Sequence, residues 1–436
     1  MKTRIFLLTC NIILLLSCQP EGRGPSAGQQ EIIQLEAKGL TRDGLIRTLS
    51  SNYATKFSLA DGVIEQELKL KRQFLVTEYL KKPIKPKHPT INTNDLFFNV
   101  RWLSYPVANP QIRSHLVVII PGFGAKNDCS YCGYMSEFLL SAGLEVVILD
   151  SPASQRFLEN SAELAVPGHQ SNDALELLEA TMLSKNYLES KLGYKFKSLS
   201  LIGTSLGGLN VQQMILNNEK LKEPLKLKFQ KVISINPPFK NSYSLNLIDE
   251  MIKENSTDTN KNIVASILEL LTFKPLVGIT YAKVEQACFE LLGSKLTAMD
   301  ARSLIGFSFS KTVQEAYKGF LNRHPNAKED KNILVFNQVF DQITRNFYQE
   351  SLGDLKASSN ELLDFSSIQY NLAALNSFPN YHILTFQDDF LLSENDLNQL
   401  SVQFKNQMIL KIPGGHLGGF YQMDFRYRLT NLLLNP

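Results

Sequence analysis

The sequence carries little net charge: 45 Lys and Arg against 42 Asp and Glu leave a formal +3 over 436 residues. That bias is too weak to argue for nucleic acid, and no dense basic stripe with interleaved aromatics appears. The lysines at 81, 82, 85 and 87 are interrupted by Pro83, Pro86 and Pro89 and read as a solvated, extended link. Beyond the first 18 residues no run is long and apolar enough for a transmembrane helix. Cysteine is scarce, five in all. Cys129 and Cys132 form one C-x-x-C, with no second pair to complete a zinc site and no thioredoxin-like context to make it a redox motif. A local disulfide and a pair of free thiols both stay open. Cys288 reads as a buried or idle thiol.

What is present starts with the N-terminus. Lys2 and Arg4 precede the apolar stretches Ile5–Leu8 and Ile12–Leu16, a layout of a secretory signal too short to span a bilayer as a mature helix. Leu15-Leu16-Ser17-Cys18 resembles a bacterial lipoprotein signal, which implies that Cys18 is lipidated and becomes the new N-terminus. Cys10 leaves with the signal. Gln19 to Gln30 then reads as a flexible tether, and several acyl chains on Cys18 would hold the protein at a cell-envelope membrane. Plain secretion, with cleavage nearby, is the alternative.

The remaining length suffices for a full-sized core plus additions. Mixed three- and four-residue spacing of Ile32, Ile33, Leu35, Leu68, Leu70, Phe74 and Leu75 predicts a helical N-terminal extension within 19–95. Short continuous apolar runs then alternate with helical segments. "HLVVIIPGFG" (115–124), "LEVVILD" (144–150), Leu199–Ile202 and "KVISINPPF" (231–239) read as buried strands, with helices at Met135–Ala142, Asn172–Leu192 and Leu209–Leu216. This is the pattern of a parallel sheet covered on both faces. From 240 to 379 the alternation gives way to a mainly helical insertion, and at 380–436 it resumes with "YHILTFQDD", a helix near Leu397, "QMILKIPGGHLGG" and a last helix. The expected fold class is α/β, with core segments 96–239 and 380–436.

The chemistry centres on Gly203-Thr204-Ser205-Leu206-Gly207, a G-x-S-x-G between a strand and a helix. That context suits a nucleophile elbow, where small residues two before and two after the serine relieve crowding on a strained turn. A serine needs a base, and six histidines compete. His88 lies in the link and His324 in the insertion. His115 and His382 begin strands, at the wrong end of a parallel sheet. His169 follows a strand and could line the mouth, but precedes the serine. His416, in "PGGHLGG", follows the last strand on a glycine-rich loop and is the favoured base. A carboxylate must orient the imidazole. Of the pair ending "TFQDD", Asp389 is favoured, with Asp388 as the fallback. The backbone amides of Phe123, in "PGFG", and Leu206 are the expected oxyanion donors.

The order Ser205, Asp389, His416, with "IIPGFG" before and "GGHLGGF" after, resembles the α/β-hydrolase superfamily, and "DDF…GGHLGGF" resembles its carboxylesterase branches. The resemblance covers about 97–239 and 381–436. It implies a central, mostly parallel sheet with 240–379 as cap or lid. It also implies a Ser-His-Asp esterase or lipase acting through an acyl-enzyme on an acyl ester or lipid, with no metal or organic cofactor. Two departures stand out: Phe390 where proline is usual, and Pro121 where many members carry histidine. An acyltransferase or peptidase uses the same triad, and a binding lipoprotein on a retired hydrolase scaffold is the reading from another class.

Overall fold

The computed structural model describes residues 41–53, 63–73, 96–105, 114–160, 170–254, 289–290, 292–294, 296–323, 336–339, 358–420 and 422–435. Cys18, the proline-rich link, His88, His169 and His324 lie outside them.

The first described elements are α1 (Arg42–Tyr53) and then two strands, β1 (Ile64–Lys71) and β2 (Phe97–Ser104). Neither strand was evident from periodicity. The helical spacing expected around Leu68 and Leu70 is corrected here: both side chains are buried while Lys69 and Lys71 between and after them are exposed, the two-residue alternation of a strand. β2 reads poorly because Asn99 and Arg101 interrupt its apolar residues. Arg101 is accommodated by Glu65 of β1 at 2.7 Å.

The α/β alternation follows: β3 (His115–Ile120), α2 (Ser130–Ser141), β4 (Glu145–Leu149), α3 (Gln155–Asn160), α4 (Gln170–Leu192), β5 (Ser198–Thr204), α5 (Leu206–Asn218) and β6 (Lys231–Ile235). The segment expected as an insertion contributes α6 (Asn241–Glu254), α7 (Ala298–Arg323), the short α8 (Phe336–Val339), α9 (Ser359–Asp364) and α10 (Ile368–Leu375). The chain closes with β7 (Tyr381–Phe386), α11 (Glu394–Gln403), β8 (Gln407–Leu410) and α12 (Met423–Leu434). None of the described helices is long and apolar enough to cross a membrane.

Among the described residues, eight strands make one sheet in the order β1-β2-β4-β3-β5-β6-β7-β8. β2 runs antiparallel to both its neighbours and the pairings from β4 through β8 are parallel. Successive side chains feed two opposite cores. Leu116, Val118 and Ile120 join α4, α5 and α10 on one face. Val117 and Ile119 join α2 and α12 on the other. Burial on both faces is why β3 and β4, after His115 and Glu145 at their starts, are apolar. Ile120 of β3 stands opposite Gly203 of β5, and Thr204 opposite Ile235 of β6. The carboxyl ends of the central strands therefore open at one edge, where the predicted reactive residues gather.

α7 lies across that edge. Gly306 is pressed against α6, where a Cβ would come 2.1 Å from the Met251 carbonyl oxygen. Arg302, almost fully buried, pairs with Glu254 at 2.8 Å.

Candidate active site

Ser205 sits between β5 and α5 with φ +54° and ψ −122°. A non-glycine residue there costs about 1–3 kcal/mol, retained only where the surroundings impose it. They do: its N–H donates to the Ile235 carbonyl at 2.9 Å, and its own carbonyl accepts the Gly208 N–H at 2.8 Å. The glycines leave no alternative. A Cβ on residue 203 would lie 2.0 Å from the Gly207 carbonyl oxygen, and one on residue 207 would lie 2.1 Å from that of Ile120.

His416 reaches the same point from the loop after β8. Gly415 and Leu417 on either side both have positive φ, +57° and +64°, so the loop turns sharply around the imidazole. Nε2 lies 2.8 Å from Ser205 Oγ. Nδ1 lies 3.0 and 3.1 Å from the two carboxylate oxygens of Asp389. With the ring proton on Nδ1, the imidazole donates to Asp389 and Nε2 accepts from the Ser205 hydroxyl. All three side chains are buried. Phe390 packs edge-on against the imidazole, ring centres 5.4 Å apart, filling the position where the resemblance leads one to expect proline.

Asp388 faces elsewhere. Its carboxylate accepts the Gly414 and Gly415 N–H groups at 2.9 Å each. Burial pushes its pKa up, and those two amides oppose the rise. The fallback acid thus braces the histidine loop from behind.

Phe123 and Leu206 flank the serine. Among the described residues, no hydrogen bond takes up the backbone N–H of either. The loop bearing Phe123 passes close enough that a Cβ on Gly122 would stand 3.1 Å from Ser205 Cβ. Behind it, Tyr131 accepts the Gly122 N–H at 2.8 Å and the Thr204 hydroxyl at 3.4 Å. Burial raises the pKa of this phenol. The C-x-x-C settles as a Cys129–Cys132 disulfide, whose two halves bracket Ser130 and Tyr131 at the start of α2.

A cavity of about 390 Å³ opens over Ser205. Phe123, His416 and Leu417 line it, together with Phe309, Thr312 and Glu315 of α7. α7 meets the loop tightly, since a Cβ on Gly124 would overlap Thr312 at 1.9 Å.

His115 and His382 start β3 and β7, at the far end of the sheet, and burial depresses both to about 4. Three contributors escaped sequence reasoning: Asn236, which donates to Asp389 at 2.6 Å, Thr48, which accepts the His416 N–H at 2.8 Å, and Tyr131. Asn236 had a signal, as a polar residue just past a buried strand. Thr48 had none, because nothing in α1 marks its partner.

The mostly parallel eight-stranded sheet with its flanking helices is the arrangement that the sequence resemblance implied. Structural comparison returns an esterase from Rhizomucor miehei (TM-score 0.43, 12% identity, 97% of this chain and 93% of that one). It also returns the esterase Pf2001 from Pyrococcus furiosus (0.40, 10%, 85% and 89%) and a peroxisomal α/β-hydrolase from Saccharomyces cerevisiae (0.43, 12%, 86% and 91%). No family model matches the sequence, and no curated protein matches it.

Proposed function

We propose that this chain is a serine hydrolase that cleaves carboxylic esters through an acyl-enzyme. The observation that carries the reading is the unbroken hydrogen-bonded line from Ser205 Oγ through His416 to Asp389, at the floor of a cavity. His416 takes the serine proton as Ser205 attacks the acyl carbonyl, and Asp389 holds the imidazole in the required tautomer and stabilises its charged form. The amides of Phe123 and Leu206 receive the developing oxyanion, helped by the positive end of α5. His416 then protonates the leaving alkoxide, and water, activated by the same imidazole, releases the acid. Every step is proton transfer or acyl transfer among these residues, substrate and water.

The helices of 240–379 act in this reading as a cap, with Phe309 and Thr312 of α7 shaping the acyl side of the cavity. A lipid on Cys18 holds the protein at a cell-envelope membrane.

The test is covalent labelling of the purified chain with a fluorophosphonate, beside Ser205→Ala and His416→Ala. Labelling that needs both residues supports the reading and justifies a panel of p-nitrophenyl esters of increasing chain length. A folded wild-type protein that takes no label would overturn it in favour of a binding scaffold.

A further inference from the structure

The loop that carries His416 rests on α1, and the contact is backbone against backbone. A Cβ on Gly415 would stand 2.1 Å from the Gly44 carbonyl oxygen, and one on Gly418 would stand 2.4 Å from that of Arg47. On the helix side, a Cβ on Gly44 would come 2.7 Å from the Asp388 carbonyl oxygen. Three glycines therefore permit an approach that side chains would forbid.

Within that contact lies one polar exchange. The Thr48 hydroxyl donates to the Gly44 carbonyl at 2.9 Å and accepts the backbone N–H of His416 at 2.8 Å. Thr48 is almost fully buried and also forms part of the cavity wall. Its hydroxyl is thus anchored by its own helix and presented, in fixed direction, to the residue whose imidazole faces Ser205. The other edge of α1 grips the segment after α6: the Arg42 guanidinium donates to the Leu296 carbonyl, its Nε at 3.1 Å, and Arg47 lies 3.9 Å above the Phe289 ring.

We propose that α1 is an integral part of the active site, with Thr48 as a positioning residue for His416. The proposal rests on the hydrolase reading above. His416 is flanked by two residues of positive φ, so its loop has no regular secondary structure to set the imidazole's height over Ser205. Asp388 braces the loop at Gly414 and Gly415, and Thr48 braces it at His416 itself. Removing the hydroxyl leaves a buried N–H without its acceptor, and the loop relieves this by shifting. A displacement approaching 1 Å at a proton-transfer distance lowers rate by as much as about a hundredfold.

The experiment compares wild type, Thr48→Val, Thr48→Ser and Thr48→Ala in the full-length chain. Each is followed by the rate of fluorophosphonate labelling, by kcat and KM on an ester that wild type accepts, and by hydrogen exchange of the 414–419 amides. Valine keeps the shape of the cavity wall, so KM should hold while labelling rate and kcat fall between about tenfold and a hundredfold. Serine restores the acceptor and should return both to within about threefold of wild type. Loop amides should exchange faster in the valine and alanine variants only. Alanine also decides the matter if the valine variant does not fold. Wild-type labelling rates in the folded variants lacking the hydroxyl would overturn the proposal alone, as would a serine variant as slow as they are. A folded wild type that takes no label overturns the hydrolase reading and this role with it.

Discussion

Asn236 donates its side-chain amide to Asp389 Oδ2 across 2.6 Å and so joins the end of β6 to the end of β7. Asn236 itself has a φ of +50°, a conformation asparagine tolerates better than most residues. The other oxygen, Oδ1, accepts the Leu391 N–H at 3.0 Å. Asp389 therefore meets the imidazole as a carboxylate fixed on both oxygens.

Asn236→Leu keeps the bulk and removes the donor. A hydrogen bond to a charged group contributes about 1.5–3 kcal/mol, so kcat should fall roughly tenfold to a hundredfold if the effect reaches the transition state. Steady-state kinetics on the ester panel measures this. Unchanged kcat would mean that Leu391 and His416 alone hold the acid in place.

The two adjacent acids should separate by kinetics. Asp389→Asn favours the wrong tautomer of His416 and should lower kcat by about ten-thousandfold. Asp388→Asn retains an acceptor for the glycine amides and should cost roughly tenfold or less, with a lower melting temperature. Reversal of that order would reassign the acid to Asp388.

Tyr131→Phe removes the acceptor of the Gly122 N–H without changing ring packing. An unsatisfied buried donor costs about 1–3 kcal/mol, relieved by movement of the loop that presents the Phe123 amide. The expected result is a kcat about tenfold lower at nearly constant KM. A variant with wild-type kcat and a lower melting temperature would confine Tyr131 to stability.

Gly203→Ala and Gly207→Ala should not yield folded protein. Each places a Cβ about 2 Å from a backbone oxygen in the elbow, and the backbone can yield only by dismantling it. The expected penalty exceeds about 4 kcal/mol, the exceptional range for one substitution. Circular dichroism and soluble yield are the measurements, and either variant folding with a normal melting temperature would contradict the geometry.

Stability should fall in mild acid through His115 and His382. Burial holds both near 4 in the folded chain, against 6.5 unfolded, so the unfolded chain takes up these protons first as pH drops. The contribution is complete above about 6.5 and lost between about 6.5 and 4. Both rings are half-buried, and screening leaves on the order of 1 kcal/mol each. Asp150, Asp173 and Asp388 are shifted upward by burial and slope the opposite way, so the comparison must be with His115→Gln/His382→Gln. Urea midpoints from pH 7 to pH 4 should drop further in wild type than in the double variant. Parallel curves would rule this out.

Much of the sheet was legible because β3 and β4, after their first residues, are apolar runs buried on both faces, and β5, β6 and β7 are buried and largely apolar despite Ser200, Ser234 and Thr385. β1 escaped because it is an edge strand with only Leu68 and Leu70 buried, and the spacing of Leu70 to Phe74, four residues on, fits a helical stripe. Ser205, His416 and Asp389 were legible for a different reason: each follows a readable strand, and glycines beside two of them signal tight turns. The braces behind them were not. Thr48, Tyr131 and Asn236 act through ordinary side-chain hydrogen bonds to distant backbone or carboxylate groups, and such pairings leave no local periodicity to read.

Thr48 and His416 meet across 368 residues of chain, and Ser205 precedes His416 by 211. During synthesis Ser205 therefore emerges long before His416 exists, and the helix that seats the His416 loop must wait nearly the whole length of the polypeptide for its partner. Any fragment ending between residues 205 and 416 carries the Ser205 turn without His416. On the hydrolase reading proposed above, residue order alone keeps the nascent chain inactive until His416 has been made.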